Sequence, residues 1–186
     1  MPKGTYIIES GIIKTYTITT SGEERIISMD TIGEDIPIGF TSGLIDKCEY
    51  FYEAYTRCVI RVVPRHEYLH HLVTDTESIN RRHLRLTKIL LTNLHRIEAL
   101  EQSKATDKVA LMLLYFAETL GSAFPNKTVR RISITQQEIA NSLGLTRETA
   151  SRVLKKLEIK KLPEKSRNTY ILYTERLKSH IDKPHD

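Results

Sequence analysis

The sequence predicts an α+β protein with three parts: an antiparallel β roll, a long helix and a C-terminal winged helix-turn-helix. Residues 5 to 63 contain short β-branched and aromatic segments separated by turns, and residues 79 to 100 carry apolar side chains at heptad spacing. Residues 132 to 158 contain two helical segments that meet at Gly144. We place the three parts at residues 1–74, 75–103 and 104–186.

The composition is that of a globular chain. Its 186 residues, 40% of them hydrophobic, are enough to build a core. Cys48 and Cys58 are too few for a disulfide framework or a four-thiolate metal site, and they suit a reducing compartment. No apolar run approaches the length of a membrane span, and the first residues lack the pattern of a signal peptide. We therefore expect a cytoplasmic protein without a membrane partner.

The positive charge is concentrated near the C-terminus. Residues 1–129 contain 15 Lys and Arg against 16 Asp and Glu, whereas residues 130–178 contain 12 against 5. The last eight residues contain 1 against 2. A compact basic segment is suited to binding phosphates, although it can also serve solubility alone.

The first part is predicted to be a roll of antiparallel strands. TYIIE, IIKTYTI and ERIISM are the first three strands, and Ser21-Gly22 supplies a hairpin turn. Several glycines and Pro37 then interrupt the pattern before a last strand from about Tyr55 to Val63. From Pro64 onward the periodicity is helical.

The longest helix is predicted from about Asp75 to Glu101. Its side chains at spacings of 4 and 3 form a seam, which consists of Ile79, His83, Leu86, Leu90, Asn93, Ile97 and Leu100. The predicted dimer-interface residues within the seam are Leu86, Leu90, Asn93, Ile97 and Leu100. Two interpretations remain open, namely a twin helix in a homodimer or burial against the same chain. Asn93 favours the twin, because a polar seam residue can pair with its mate and fix the register. The flank formed by Ile89, Leu91 and Leu94 is expected to cover the roll.

A helix over residues 107 to 120, ended by Gly121, leads into the helix-turn-helix. Between them SAFPNKTVRRISI is predicted as a loop and a short strand. Thr135 and Glu138 have the spacing of a capping box, so a helix should begin at Gln136 and end at Gly144.

Thr146 is the predicted N-cap of the second helix. One face should pack through Ala150, Val153, Leu154 and Leu157. The other carries polar groups and should enter the DNA major groove with its N-terminal end first.

The residue types on that polar face suit contacts with bases. Arginine can donate two parallel hydrogen bonds to guanine, and a carboxylate can accept one from cytosine. The predicted base-contacting residues are Arg147, Glu148, Ser151 and Arg152. The predicted phosphate-contacting residues are Thr135, Gln136 and Lys155, with Lys165 and Arg167 from a wing in which the turn KSRN precedes the strand TYILY. The competing interpretation is that Glu148 and Arg152, four residues apart, form only a surface ion pair.

Residues 132–158 closely resemble the DNA-binding signature of the CRP/FNR superfamily of bacterial transcription regulators. In that family a β roll, a long dimer helix and a C-terminal winged helix follow in this order, and GTYIIESGIIKTYTITTSGEERIISMDTIGED resembles the later strands of its sensor roll, a domain like those that bind cyclic nucleotides. Matched residue by residue, T-R-E-T-A-S-R places the family's base contacts on Arg147, Glu148, Ser151 and Arg152. The resemblance implies a homodimer that binds an inverted-repeat operator and works with RNA polymerase.

Two departures from the family pattern concern the sensor. Where members that bind cyclic nucleotides have a Gly-Glu pair and then an arginine phosphate clamp, this chain has GEDIPIGF and KCEYFYEAY, with Glu49 near the expected arginine. An acid there would repel a phosphate, so the effector is not expected to be cyclic AMP. The cysteine cluster of the iron-sulfur members is lacking, and no cofactor is predicted. The chain also begins inside the roll, either because the sequence starts late or because the sensor is reduced, and both alternatives stay open.

A rival hypothesis comes from His66-Glu67-Tyr68-Leu69-His70, which has the H-E-x-x-H spacing of zinc peptidases. No further histidine motif follows, and the segment is a short helix whose packing face we assign to Tyr68, Leu69, Leu72 and Val73. Motifs require their structural context. The sequence therefore predicts a transcription regulator and not an enzyme, with no catalytic or metal site, while metal binding by His66 or His70 stays open.

Overall fold

The structure, a computed structural model, describes residues 2–123 and 128–181. The strands are β1 Thr5–Ser10, β2 Ile13–Ile18, β3 Glu24–Asp30, β4 Asp35–Ile36, β5 Phe51–Ala54, β6 Val59–Val63, β7 Ser122–Ala123, β8 Val129–Ser133, β9 Pro163–Ser166 and β10 Thr169–Tyr173. The helices are α1 Ile38–Thr41, α2 Arg65–Thr74, α3 Thr76–Glu101, α4 Ala105–Thr119, α5 Gln136–Leu143, α6 Arg147–Ile159 and α7 Thr174–Ile181. The chain divides into two compact units, residues 1–90 and 91–186, and the predicted α+β class is confirmed.

The first unit contains two antiparallel sheets of three strands each. Their strand orders are β4-β1-β6 and β3-β2-β5. Ile8 and Ile36 from the first sheet and Ile13 from the second form one buried cluster, and Tyr6 and Tyr52 pack against it. Both sheets therefore bury apolar side chains in a shared core, as a β roll requires.

The predicted hairpin at Ser21-Gly22 is confirmed. Gly22 has a φ of +80°, a left-handed conformation that glycine adopts without steric cost, and its N–H donates to the Thr19 carbonyl at 2.9 Å. β2 and β3 pair from Ile13–Asp30 to Ile18–Glu24.

The last strand, predicted from about Tyr55 to Val63, is present but begins only at Val59. Residues 55–58 connect β6 to β5, a strand that was not predicted. β5 pairs with β2, whereas β6 pairs with β1 in the other sheet. At the crossing, the Tyr55 N–H donates to the Ile12 carbonyl at 2.9 Å, and the Ile12 N–H donates to Thr56 Oγ1 at 2.9 Å. The chain therefore changes sheets where the sequence shows one unbroken β-rich segment.

Helix α2 begins after Pro64 as predicted, and α3 matches the predicted long helix to within one residue at its start. Two packing expectations are wrong. Val73 is 78% exposed, so it does not belong to the packing face of α2 that includes the buried Leu72. On α3, two residues of the predicted flank, Leu91 and Leu94, are 52% and 51% exposed, so they do not form a buried face.

The second unit is built around α4, which α5, α6 and α7 all contact. Val109, Met112, Leu113 and Phe116 of α4 are fully buried. An antiparallel sheet with the order β7-β8-β10-β9 completes the unit. Residues 124–127 of the predicted loop lie outside the described residues.

The predicted wing is present with a shorter turn. Lys165 and Ser166 end β9, so the turn consists of Arg167 and Asn168 before β10. Arg167 has a φ of +55°, which closes the hairpin. Helix α7 was not predicted, and its Leu177 is fully buried.

Candidate nucleic-acid interface

The start of α5 is fixed by the capping box that the sequence predicts. The Glu138 N–H donates to Thr135 Oγ1 at 3.2 Å, and the Thr135 N–H donates to Glu138 Oε2 at 2.7 Å. These reciprocal bonds satisfy two backbone donors that a helix terminus leaves free. Ile139 and Ala140 are then fully buried one turn later.

Gly144 ends α5 and sets the direction of the turn. Its φ is +65°, in the left-handed region, and the N–H groups of Gly144 and Leu145 both point to the Ala140 carbonyl, the second at 3.0 Å. The Thr149 N–H donates to Thr146 Oγ1 at 3.2 Å, so Thr146 caps α6. A single residue, Leu145, therefore separates the C-cap of one helix from the N-cap of the next.

Helix α6 has one packed face and one exposed face. Ala150, Leu154 and Leu157 are fully buried and Val153 is 6% exposed. These residues pack where α6 contacts α4 and α5. The small Ala140 and Ala150, both 0% exposed, leave room for close helix packing.

The predicted base-contacting residues all lie in the first two turns of α6. Arg147, Glu148 and Arg152 are exposed, and Ser151 is half-buried. In the part of the chain that the structure describes, no ion pair within 4.0 Å joins Glu148 to Arg152. The surface-pair interpretation therefore has no support from the side-chain positions, and both groups are available to another molecule.

The predicted phosphate-contacting residues lie at the start of α5, on α6 and in the wing. Gln136 is the first residue of α5, next to the capping Thr135, and both are half-buried. Lys155 is exposed on α6, Lys165 is exposed on β9, and Arg167 is exposed in the turn of the wing.

Sequence reasoning did not single out the lysines that follow. Lys156, Lys160 and Lys161 are exposed at and beyond the end of α6, and Arg176 lies 4.6 Å from the ring centroid of Tyr173. The lysine pairs at 155–156 and 160–161 were the available signal. The basic surface thus continues past the helix instead of ending with Lys155.

The geometry is that of a known DNA-binding domain. A family model for the Crp-like helix-turn-helix domain matches residues 107–180. Among curated proteins, the chain is 31% identical over 150 residues to the regulatory protein HlyX of Actinobacillus pleuropneumoniae, covering 80% of this chain and 61% of that protein. It is 28% identical over 153 residues to the electron transport regulator A of Shewanella oneidensis, covering 82% and 60%.

Residues 107–180 belong to the Crp-like helix-turn-helix family, and the chain as a whole is similar to CRP/FNR regulators. Among the solved structures that share its fold is the CRP-family regulator TTHB099 of Thermus thermophilus, with a TM-score of 0.77 and 18% identity, covering 99% of this chain and 90% of that one. Another is FixK2 of Bradyrhizobium japonicum, with a TM-score of 0.75 and 20% identity, covering 100% of this chain and 91% of that one. The chain spans about three fifths of the length of the two curated relatives.

The roll contains a largely apolar cavity of about 700 Å³. Tyr6, Ile13, Ile36, Tyr52 and Ile60 line it, together with Cys48 and Lys47 from the following loop. Glu49, which the resemblance places near the phosphate clamp, is exposed in that loop. Among the described lining residues Lys47 is the one charged group.

The H-E-x-x-H segment lies on α2 with its polar groups in solvent. The side chains of His66 and Glu67 are 84% and 62% exposed, with 4.0 Å between His66 Nε2 and Glu67 Oε1. Across residues 2–123 and 128–181, no three His, Cys, Asp or Glu side chains are grouped as a metal site would need. None of the helices described there is both long and apolar enough to cross a membrane.

Proposed function

We propose that this protein is a sequence-specific transcription regulator that binds an inverted-repeat DNA operator as a homodimer. The observation that carries the proposal is the division of α6, in which apolar residues are buried and Arg147, Glu148 and Arg152 are exposed on the other face. The names of the curated relatives, which are regulatory proteins, support the same function. The protein is proposed to act in the cytoplasm with RNA polymerase and to catalyse no reaction.

Arg147, Glu148, Ser151 and Arg152 are proposed to contact base edges in the major groove. The arginines suit guanine O6 and N7, and Glu148 suits the cytosine amino group. Thr135, Gln136, Lys155, Lys165 and Arg167 are proposed to contact phosphates and hold the domain in register. The Thr135 hydroxyl already participates in the capping box. The contribution of Thr135 to phosphate binding is therefore proposed to come from its place at the N-terminus of α5, where the helix attracts anions.

The experiment that tests DNA recognition is selection of bound duplexes from a random library, followed by mobility-shift titrations. We expect an inverted repeat with half-sites about one helical turn apart, and affinity that falls steeply as salt rises. Arg152→Ala should reduce the preference at one G·C pair by about 1–3 kcal/mol. Arg25→Ala, which removes an arginine from β3, is the matched control and should leave the preference unchanged. Selection of no common sequence would overturn the proposal.

Dimerisation is proposed to use α3. Six of its large apolar residues are at least 45% exposed: Ile79, Leu84, Leu90, Leu91, Leu94 and Ile97. One helix that exposes this much apolar surface is unusual unless a partner covers it. Within the predicted interface, Leu90 and Ile97 are exposed, and Leu86, Asn93 and Leu100 are half-buried.

Light scattering after size exclusion tests the dimer. We expect twice the 21.5 kDa mass of one chain, with Leu90→Lys shifting the mass toward that of the monomer. Val73→Lys changes another exposed apolar residue, on α2, and should leave the dimer intact. A monomer for both the unchanged protein and Leu90→Lys would refute the assignment of the seam.

Regulation is proposed to be a population shift, in which a signal in the roll alters α3 and with it the two recognition helices of the dimer. The effector is proposed not to be cyclic AMP. The apolar lining of the roll cavity supports this, because a phosphodiester would need more cationic partners than Lys47.

A further inference from the structure

A second cavity, of about 570 Å³, lies within the first unit among β1, β6, α2 and α3. Four of its lining residues are arginines: Arg61, Arg81, Arg82 and Arg85. This arginine cavity differs in chemistry from the apolar cavity of the roll. Its volume falls within the range of small-molecule sites.

Two of the arginines, on different walls of the cavity, are held in place by acids that do not line the cavity. Arg82 Nη2 donates to Asp35 Oδ2 at 3.0 Å, and Asp35 is 5% exposed. Arg61 Nε donates to Glu9 Oε1 at 2.6 Å. A guanidinium has five N–H donors, so each of these contacts leaves further donors for a ligand. The ion pairs therefore orient the groups without using all their hydrogen bonds.

Arg85 lies against the backbone of the roll at Gly33. Its Nη2 would be 2.5 Å from a Cβ at Gly33, so the arginine occupies space that a side chain at Gly33 would fill. Arg81 pairs with Glu77 one turn earlier on α3, whereas Arg85 has no acidic group within 4.0 Å among the described residues. Glu34 lies more than 4.0 Å from Arg85 and interacts with it only by longer-range electrostatics. The charge of Arg85 is therefore the least compensated of the four.

The remaining wall of the cavity suits an organic group. Ile7, Val63, Leu72 and Tyr68 also line it. Glu67 is the one acid among the described lining residues, and its side chain is 62% exposed. A ligand with an apolar body and a strongly anionic end fits this distribution.

We propose that the arginine cavity binds a small molecule that carries a phosphate group. Guanidinium groups approach from β6 and from successive turns of α3, and a phosphate offers three oxygens and up to two charges to share among them. A single carboxylate offers only two oxygens and one charge. Ser78, Arg81, Arg82 and Arg85 all belong to α3, so the ligand would contact the helix on which, under the proposed function, dimerisation depends.

Calorimetric titration of the full chain with phenyl phosphate, in the absence of DNA, tests the site. We expect saturable binding that Arg85→Gln weakens about ten-fold or more, because a charge-assisted contact is lost. Arg81→Gln, which changes a side chain that is 55% exposed, should weaken binding as well and guards against loss of folding. Arg57→Gln, outside the cavity, is the matched control.

Two further arms identify the source of any binding. Inorganic phosphate that binds as tightly as phenyl phosphate would assign the site to the free ion, whereas tighter binding of phenyl phosphate supports an ester. Arg152→Gln removes an arginine of the proposed DNA surface and should change nothing here. Absence of saturable binding, or binding weakened by Arg152→Gln and not by the Arg81 and Arg85 variants, would overturn the proposal while leaving DNA recognition untouched.

Discussion

Glu34→Gln should stabilise the folded protein at pH 8 much more than at pH 5. Burial, and to a smaller extent the charge of Asp30, raise the pKa of the Glu34 carboxyl from its ordinary value of 4.5 to about 7. The Thr31 N–H, which donates to Glu34 Oε2 at 2.8 Å, and the cations Lys88 and Arg85 lower the pKa without cancelling the effect of burial. Glutamine retains an acceptor for Thr31 and has no charge to bury.

The sign of the effect follows from proton binding. Between pH 4.5 and about 7 the unfolded chain has lost the Glu34 proton while the folded chain still holds it, so rising pH costs stability across this window. The pKa difference corresponds to roughly 3 kcal/mol above both values, of which about 2.5 kcal/mol develops between pH 5 and pH 8. Above about pH 7 the ionised carboxylate is buried at a cost that glutamine avoids.

Urea unfolding of both proteins at pH 5 and pH 8, at one protein concentration, measures this difference. Groups that titrate in both proteins cancel when the two are subtracted at each pH. Glu23→Gln is the matched control, because this glutamate is exposed in the same unit and should give no pH-dependent difference. If Glu34→Gln changes stability equally at the two pH values, the carboxyl is not held protonated by burial.

Further substitutions test the packing and caps of the helix-turn-helix through the unfolding free energy of the protein. Thr135→Ala should cost about 0.5–2 kcal/mol by removing the capping box, and Thr135→Ser should restore most of it; equal losses would argue against the cap. Gly144→Ala should cost about 1–2 kcal/mol because its φ of +65° is unfavourable for a residue with a Cβ, and an unchanged stability would contradict that reasoning. Leu154→Ala should cost about 2–5 kcal/mol, whereas Ile159→Ala, at a position that is 83% exposed, should cost little.

The helix-turn-helix could be predicted closely because its signals are local. Thr135 and Glu138 are three residues apart, and Thr146 caps a helix that starts at the next residue. Gly144 adopts the left-handed conformation expected of a C-terminal cap. Each signal acts within one turn of backbone, so no distant contact was needed to place the two helices.

The roll was harder to predict because strand pairing is non-local. The segment from Tyr55 to Val63 is β-rich, and only the pairing of β5 with β2 and of β6 with β1 shows that the chain leaves one sheet for the other there. The arginine cavity was missed for a similar reason. Arg81, Arg82 and Arg85 are close in sequence, but Arg61 and Gly33 join them only through the fold.

The exposed face of α6 carries information that packing does not explain. Ala150 and Leu154 are fixed by burial, since a larger residue at the first or a smaller one at the second would disturb contacts with α4 and α5. No comparable constraint acts on Arg147 or Arg152, which are exposed. Lysine, glutamine or alanine would allow the same helix to form at those positions. Under the proposed function these guanidinium groups serve a partner outside the chain, because the G·C edges of a DNA groove match the donors that the side chains offer.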